Sequence, residues 1–286
     1  MPTDNYNMLK VIEEFPDQCR TALELPKGMS VTGKVDKIAV IGMGGSAVGG
    51  DLLKIYMHNS KISVFVVRDY KVPNFVDENT LVFAVSYSGN TEETLSAFED
   101  AARKKAKIVA VTSGGSLAAR AKKVIKVPSG LQPRAALGYL FLPVLGVLAN
   151  SGIVSVKDAE IKEMLDVLSK TNEFKTAGEK IAKKIGSRIP IVYASEMLNA
   201  VAYRWKTQFN ENSKSAAFYH VFSEMNHNEI AAYETMERNK FIAIFLRDKE
   251  DNERIKKRMD ITKEIISSKI DFEEVFTKGE FLLTRM

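Results

Sequence analysis

Short apolar runs alternate with amphipathic segments along the first half of the chain. The runs are rich in Val and Ile, and few polar residues interrupt them, which is typical of strands buried on both faces of a sheet. Segments with helical spacing separate these runs at residues 47–57 and 92–104. The regular alternation of strand and helix predicts a doubly wound, mainly parallel α/β sheet flanked by helices. Five strands are predicted, at residues 35–41, 62–67, 81–85, 107–111 and 124–127.

A similar pattern continues in the second half of the chain. Gln132-Pro133-Arg134 begins a long apolar segment that reaches about residue 148, and Pro is tolerated in a first helical turn because its missing N–H would have no partner there. Residues 156–185 have the spacing of one or two amphipathic helices. We therefore predict two α/β domains, the first at residues 1–152 with an N-terminal helix and the second at 153–286. Strands of the second domain are predicted at residues 189–193, 216–218, 241–246 and 272–275.

Composition places the chain among ordinary globular proteins. Its 286 residues are 45% hydrophobic and 27% charged, and the net charge of +5 is modest for this length. The apolar stretch at 137–148 is interrupted by Gly138, Pro143 and Gly146, and it is shorter than the ~18 residues of a membrane span. Basic residues alternate with acidic ones, so we expect neither a nucleic-acid nor a membrane partner.

The N-terminal residues and the cysteine and histidine content narrow the class further. Asp4 and Glu13 lie where a signal peptide would have an apolar core, so we expect a cytoplasmic location. Because Cys19 is the single cysteine of the chain, an internal disulfide framework and a multi-cysteine metal site are excluded. The three histidines form no ligand cluster with it in the sequence, so no metal is expected.

Two Gly/Ser-rich motifs each follow a predicted strand and precede a predicted helix. They are Ile-Gly-Met-Gly-Gly-Ser at 41–46 and Val-Ser-Tyr-Ser-Gly-Asn-Thr-Glu-Glu-Thr at 85–94. Ligands of parallel sheets bind beyond the carboxyl ends of the strands, where both motifs fall. Hydroxyl groups and accessible backbone N–H groups at helix N-termini suit the oxygens of a phosphate, which we expect to be part of a sugar. The candidate phosphate-binding residues are Gly45, Ser46, Ser86, Ser88, Gly89 and Thr91.

Each motif also permits another interpretation. Gly42-x-Gly44-x-x-Ala47 satisfies a loose dinucleotide fingerprint, which would indicate NAD-dependent oxidation, although Asp69 lies farther on than the about 20 residues expected for its ribose-binding acid. The second motif could be an ordinary loop in which Asn90 and Thr91 cap the next helix, with acidic residues in its first turn.

Residues 42–51 and 86–94 resemble the sugar isomerase (SIS) domain, which binds phosphosugars. Phe-Asn-Glu-Asn-Ser-Lys at 209–214 and Ser-Glu-Met-Asn-His-Asn-Glu-Ile at 223–230 resemble the second-domain motifs of bifunctional phosphoglucose/phosphomannose isomerases. The four motifs occur in the family's order, with Pro133-Arg134 between them, and the resemblance covers nearly the whole chain. It implies two SIS-like domains, each with a doubly wound sheet.

The resemblance also implies roles for individual residues. The hydroxyls of Ser46, Ser86, Ser88 and Thr91 would hold the substrate phosphate. Arg134 would face the reacting carbons, and Glu211 would move the proton between C2 and C1. His227 would assist opening of the cyclic sugar, reaching the site from the neighbouring subunit of a homodimer. The implied reaction interconverts glucose 6-phosphate, and mannose 6-phosphate, with fructose 6-phosphate through a cis-enediolate, with no metal or other cofactor.

Taken alone, these residues have simpler interpretations. Glu211 could be a polar loop acid, Arg134 a structural residue at a helix start, and His220 a satisfied structural histidine. Family members usually continue past the position of Leu282-Leu283 to a tail with a catalytic lysine, a role that no residue of this sequence takes over, since Lys278 is outside the motif. A second hypothesis is therefore a catalytically silent SIS-domain regulator that binds a phosphosugar.

Overall fold

The chain divides into two compact units between Ser169 and Lys170 in the computed structural model, which describes residues 7–286. Asp4, on which the expectation about the N-terminus depends in part, lies outside the described residues. The domain boundary predicted from the sequence lies at 152/153, ahead of the helix at Asp158–Leu168. That helix falls in the first unit, where the Glu160 carboxylate accepts a hydrogen bond from the Tyr56 hydroxyl at 2.9 Å.

The first unit contains five strands at the predicted places: β1 (Lys37–Ile41), β2 (Ser63–Val67), β3 (Thr80–Val85), β4 (Lys107–Thr112) and β5 (Val124–Lys126). They form a parallel sheet in the order β2-β1-β3-β4-β5. Every residue of β3 is buried, which explains the apolar run at 81–85. The strand order reverses between β1 and β3, so the carboxyl ends of these neighbouring strands flank the position where ligands bind in such folds.

Helices pack around this sheet, and the segment after the second helix packs closely against the sixth. They are α1 (Met8–Glu13), α2 (Phe15–Glu24), α3 (Gly45–Tyr56), α4 (Glu92–Arg103), α5 (Gly115–Arg120), α6 (Leu137–Asn150) and α7 (Asp158–Leu168). The apolar helix predicted from Gln132 is a 3₁₀ turn at Pro133–Ala135 followed by α6. α6 is buried on nearly all sides, and the segment after α2 approaches it so closely that a Cβ at Gly146 would lie 2.4 Å from Pro26 Cγ.

The second unit contains four strands: β6 (Ile189–Ala194), β7 (Phe218–Val221), β8 (Phe241–Arg247) and β9 (Asp271–Phe276). They form a parallel sheet in the order β7-β6-β8-β9. The strand order of this sheet reverses between β6 and β8. All four predicted strands are present, although β7 begins at the last residue of its predicted range. The prediction of two doubly wound α/β domains is therefore confirmed.

Helices cover the second sheet, and an aromatic cluster fills one side of its core. The rings of Tyr193, Phe222 and Phe245 lie within 4.8–5.9 Å of one another between centroids. The helices are α8 (Thr171–Ile185), α9 (Asn199–Gln208), α10 (Phe222–Met225), α11 (Glu253–Ile266) and α12 (Leu282–Arg285). Within residues 7–286, no helix has the length and apolar character that crossing a membrane requires.

Candidate active site

The loop after β3 closes on itself through its own hydroxyl groups. Ser86 is buried, and its Oγ lies 2.9 Å from Thr91 Oγ1. The Gly89 N–H donates to Ser86 Oγ at 3.1 Å. Thr91 stands at the N-cap position of α4 but makes no side-chain capping hydrogen bond, so the alternative of a simple helix cap does not describe it. Ser88 is exposed, and its Oγ accepts a hydrogen bond from the Asn90 N–H at 3.3 Å.

Gly89 allows this loop to pack against the loop that follows β4. Its φ is +71°, and a Cβ there would lie 1.9 Å from the Gly114 carbonyl oxygen. The Leu117 N–H donates to the Gly89 carbonyl at 2.9 Å, and the Ser116 N–H donates to Asn90 Oδ1 at 2.9 Å. The loop after β4, Thr-Ser-Gly-Gly-Ser at 112–116, is thus part of the site's framework. This loop is not among the residues predicted from the sequence, although it is a third Gly/Ser-rich turn after a predicted strand, which was a usable signal.

The first Gly/Ser motif lies against the end of β3. A Cβ at Gly42 would be 3.0 Å from the Val85 carbonyl oxygen, so glycine permits this close approach. Gly44, with φ of +50°, precedes α3, and Gly45 begins that helix. Ser46 lies on its first turn and is buried. The first unit therefore brings the two predicted phosphate motifs together at the carboxyl ends of β1 and β3.

Asp69, the acid of the alternative dinucleotide fingerprint, belongs to the exposed turn after β2. Its Oδ1 accepts a hydrogen bond from the adjacent Tyr70 N–H at 2.6 Å. A ribose-binding acid would be expected at the end of the second strand, facing the glycine-rich turn. The local turn that Asp69 forms is an ordinary use of an aspartate side chain.

Arg134 lies in the 3₁₀ turn at Pro133–Ala135 and is half-buried. Its Nη1 donates to Gln132 Oε1 at 3.5 Å. The turn is held from α2, because Gln18 Nε2 donates to the Ala135 carbonyl at 2.9 Å. Arg134 thus belongs to the first unit, on the segment that connects β5 to α6.

Glu211 lies in the second unit, in a π-helical turn at Phe209–Ser213 that directly follows α9. It is half-buried. Lys214 ends the turn with φ of +54°, and its Nζ donates to the Glu211 carbonyl at 2.5 Å. Asn210 Nδ2 donates to the Ser215 carbonyl at 2.9 Å and fixes the loop that follows.

Arg204 on α9 is an electrostatic neighbour of Glu211. Burial lowers the pKa of the Arg204 guanidinium to about 10, and the negative charge of Glu211 acts in the opposite direction. Arg204 remains protonated at neutral pH. No sequence motif points to Arg204, because spacing along a helix does not show which acid a charged side chain will face.

His227 is exposed on a segment whose flanks are anchored in the second unit. Asn226 Nδ2 donates to Thr262 Oγ1 of α11 at 2.9 Å, and the Tyr193 hydroxyl donates to Glu229 Oε1 at 2.5 Å. The Tyr233 hydroxyl in turn donates to that of Tyr193 at 2.7 Å. Burial raises the pKa of both phenols, so they stay neutral. The imidazole therefore projects outward from a fixed backbone.

The other two histidines take local roles. Nδ1 of His58 lies 3.0 Å from the Ile55 carbonyl oxygen at the end of α3, so this side chain caps the helix. His220 Nδ1 accepts a hydrogen bond from the Val221 N–H at 2.8 Å. In the part of the chain that the structure describes, no group of three or more His, Cys, Asp or Glu side chains is arranged to hold a metal ion.

Comparison with known proteins first defines the class. Residues 33–141 match the SIS domain family, and residues 174–286 match the family described as the bacterial phospho-glucose isomerase C-terminal SIS domain. The C-terminal domain of glucosamine-fructose-6-phosphate aminotransferase from Francisella tularensis has the same fold, with a TM-score of 0.71 and 16% identity over 97% of this chain and 85% of that one. The chain is thus a protein with two SIS domains.

Relatives of higher identity define the family. The bifunctional phosphoglucose/phosphomannose isomerase of Caldicellulosiruptor bescii is 43% identical over 98% of this chain and 88% of its own length. The D-glucosamine-6-phosphate 4-epimerase of Sulfolobus acidocaldarius is 36% identical over 74% of this chain and 68% of its own. The chain belongs to the bifunctional phosphoglucose/phosphomannose isomerase family, and the resemblance found in its sequence is confirmed.

Proposed function

We propose that this chain is an aldose–ketose isomerase that interconverts glucose 6-phosphate, and mannose 6-phosphate, with fructose 6-phosphate. The observation that carries the proposal is its 43% identity to a bifunctional phosphoglucose/phosphomannose isomerase over 98% of the chain, which spans both units. Sequence similarity confined to a phosphate-binding loop would support phosphate binding alone. Here the similarity extends through the segments that contain Glu211 and His227.

The phosphate of the substrate binds between the first turns of α3 and α4 in this proposal. Gly45, Ser46, Ser86, Ser88, Gly89 and Thr91 are its candidate contacts. Two helix N-termini beside a loop of hydroxyl groups favour a dianion, because N–H groups and the positive ends of both helix dipoles point toward it. The paired hydroxyls of Ser86 and Thr91 support a loop that is already shaped before the phosphate arrives.

Glu211 acts as the base that removes the C2 proton and returns it to C1. A single carboxylate can serve both carbons, because the proton leaves and returns on the same face of the enediolate. Arg134 stabilises the negative charge that develops on the enediolate oxygens, since a guanidinium cannot deprotonate under these conditions. No metal or organic cofactor is needed for such a proton transfer.

His227 assists ring opening by moving a proton between the ring oxygen and O1. An imidazole suits this exchange because its ordinary pKa lies near neutrality. In this proposal the active assembly is a homodimer, and His227 serves the site of the partner. Its exposure on an anchored segment supports this, because an exposed side chain on a fixed backbone can enter a second molecule with little loss of conformational freedom.

The test is turnover by the purified full chain on glucose 6-phosphate and on mannose 6-phosphate in ²H₂O. We expect fructose 6-phosphate from both sugars, with deuterium appearing at C2 of the recovered substrates. Glucosamine 6-phosphate, with NMR detection of inversion at C4, tests the reaction that the epimerase relative's name describes. Tight binding of the hexose phosphates without turnover or exchange would contradict the isomerase and favour the silent regulator.

Phosphate binding is tested separately by calorimetry. Ser88→Ala removes the exposed hydroxyl of the phosphate loop, and we expect weaker binding of hexose phosphates and of inorganic phosphate. Ser155→Ala, an exposed serine in the same unit after α6, is the matched control and should leave both affinities unchanged. Equal affinities for wild type and Ser88→Ala would remove Ser88 from the proposed contacts.

A further inference from the structure

Tyr87 stands between two candidate phosphate contacts, yet its side chain points away from the loop surface. The ring is only 5% exposed. Its hydroxyl donates to the Pro128 carbonyl at 2.9 Å and accepts a hydrogen bond from the Leu131 N–H at 3.0 Å. One phenol oxygen thereby bridges two points of the segment that leads from β5 to Arg134.

The backbone of Tyr87 is fixed as firmly as its side chain. Its carbonyl accepts hydrogen bonds from the Ser113 N–H at 3.0 Å and from Ser113 Oγ at 2.7 Å. The loop after β4 therefore holds the main chain of Tyr87 in place. With both ends fixed, the residue is a rigid link between the phosphate loop and the segment at 128–131.

That segment has no regular secondary structure of its own. Residues 127–132 lie between β5 and the 3₁₀ turn, and the backbone pairing with β4 continues only as far as the Val127 N–H, which donates to the Thr112 carbonyl at 2.9 Å. Side-chain contacts beyond Val127 therefore help to determine the position of Arg134. Side-chain contacts hold the chain on both sides of Arg134. Tyr87 holds the chain ahead of Arg134, and Gln18 holds it behind, through Ala135 at 2.9 Å and through the Tyr139 N–H at 3.3 Å.

We infer that Tyr87 is a positioning residue for the isomerase reaction, which fixes Arg134 relative to the phosphate loop through the hydroxyl bridge to Pro128 and Leu131. The phosphate and the reacting carbons lie at opposite ends of a hexose 6-phosphate. An enzyme that anchors one end must therefore control the distance to the groups that act on the other. This inference rests on the proposed roles of Arg134 and the phosphate loop.

The test uses Tyr87→Phe, which removes both hydrogen bonds and keeps the ring. We expect kcat for fructose 6-phosphate formation to fall roughly tenfold to a hundredfold, the scale of a small misplacement of a group that acts in the transition state. The affinity for inorganic phosphate should stay within about twofold, because no candidate phosphate contact is removed. Tyr56→Phe is the control: it removes the partly buried hydrogen bond to Glu160 in the same unit, and it should leave kcat unchanged.

A double-mutant cycle separates positioning from general loosening of the fold. In an Arg134→Ala background, adding Tyr87→Phe should change kcat by less than about twofold, because the group that Tyr87 positions is already absent. Gln18→Met removes the hydrogen bonds to Ala135 and Tyr139. It should likewise lower kcat in the wild-type background but not in the Arg134→Ala background, and it provides the test if Tyr87→Phe does not fold. If the reductions in kcat multiply in the double variants, or if a folded Tyr87→Phe variant keeps the wild-type kcat, the inference about Tyr87 is wrong while the proposed function stands. A wild-type chain without turnover would instead overturn the proposed function.

Discussion

The π-helical turn at Phe209–Ser213 determines where the Glu211 carboxylate projects. Such a turn inserts an extra residue into the helical course, and π-helical turns occur frequently at functional sites. Here it widens the end of α9 just before Lys214 stops the helix in a left-handed conformation. The regular α-helical geometry of α9 ends at Gln208 and therefore does not extend to Glu211.

Glu211→Gln tests the role of this carboxylate. Glutamine keeps much of the shape and hydrogen bonding of glutamate but has no basic site, so turnover should fall by ~10²–10⁴-fold while affinity for hexose 6-phosphates changes little. Isomerase rate, exchange of the C2 proton with ²H₂O, and ligand affinity are measured on one folded preparation. Near-normal rate and exchange in the variant would show that another group is the base.

Glu274 offers a second residue-scale prediction, on stability and pH. It accepts hydrogen bonds from Lys263 Nζ at 2.6 Å and from Arg247 Nε at 2.7 Å. Burial alone raises the pKa of Glu274, but these hydrogen bonds outweigh it and hold the pKa below its ordinary value. A carboxylate whose pKa is lower in the folded state stabilises the fold above its unfolded pKa. That contribution is lost as pH falls through the folded value.

Glu274→Gln should therefore lower the stability of the second unit by about 1–2 kcal/mol at pH 7, with a smaller difference from wild type near pH 3.5. Trp205, the single tryptophan, lies in this unit, so its fluorescence during urea unfolding is the measurement. Glu237→Gln breaks an exposed ion pair with Lys240 and serves as the control, with little expected change. A difference from wild type that is equal at both pH values would contradict the assignment.

At the scale of elements, hydrophobic periodicity predicts the strands well because most are buried on both faces. β7 is the exception. It is an edge strand with exposed Phe218 and Tyr219, so it lacks the continuous apolar run, and only its first residue falls in the predicted range. The helix at Asp158–Leu168 is also predicted, but its assignment to a unit depends on contacts distant in sequence, such as those with α2 and the Tyr56–Glu160 hydrogen bond, which no local pattern reveals.

In the candidate site, too, some features follow from the sequence and others do not. The residues of the site were predicted from motifs, whereas the contacts that hold these residues in place could not be predicted. Gly89 and Ser86 stand out as a glycine and a hydroxyl after a strand, but the packing of Gly89 on Gly114 and the reach of Tyr87 to Leu131 join residues far apart in sequence. Such contacts depend on strand order, since β3 and β4 must be neighbours before their loops can meet.

Gly89→Ala tests that packing. The methyl group would require both a positive φ and a contact 1.9 Å from the Gly114 oxygen, so the two loops must separate. We expect a loss of about 2–4 kcal/mol in stability, together with loss of phosphate affinity. Gly152→Ala is the control, because it has φ of +67° with nothing within 4 Å of the new methyl, and should cost about 1 kcal/mol without affecting phosphate.

Calorimetry with inorganic phosphate and thermal unfolding of both variants provide the measurements. If Gly89→Ala binds phosphate as wild type does, the contact between these loops does not shape the site. If the two variants lose the same stability, backbone strain alone explains the requirement for glycine at position 89.

At the scale of the whole molecule, the two sheets have the same plan but different chemistry at their points of reversal. In the first sheet, glycines and hydroxyls follow β1 and β3. In the second, Asp248 follows β8 and is buried, and its carboxylate pairs with Arg285 Nε of α12 at 3.0 Å. Asp251 is buried beside it. Buried carboxylates repel a phosphate dianion, and the Arg285 cation is already paired, so the point of reversal in the second sheet disfavours a phosphate and the proposed phosphate site remains the one in the first unit.

The proposed dimer makes opposite predictions for two kinds of mixed assembly, prepared from differently tagged full chains. If His227 serves the partner's site, a dimer of one Glu211→Gln chain and one His227→Ala chain contains one complete site. We expect it to recover about half of wild-type turnover. A dimer of one wild-type chain and one chain carrying both substitutions should then be nearly inactive, because each of its sites lacks one residue.

The two mixed dimers exchange their outcomes if His227 acts within its own chain. The first would have no complete site, and the second would retain one site and about half the rate. Homodimers of each single variant set the background, and the mass of each purified assembly is checked before assay. Activity confined to the second mixed dimer would therefore reject donation of His227 across the interface, and a fully active monomer would reject the dimer itself.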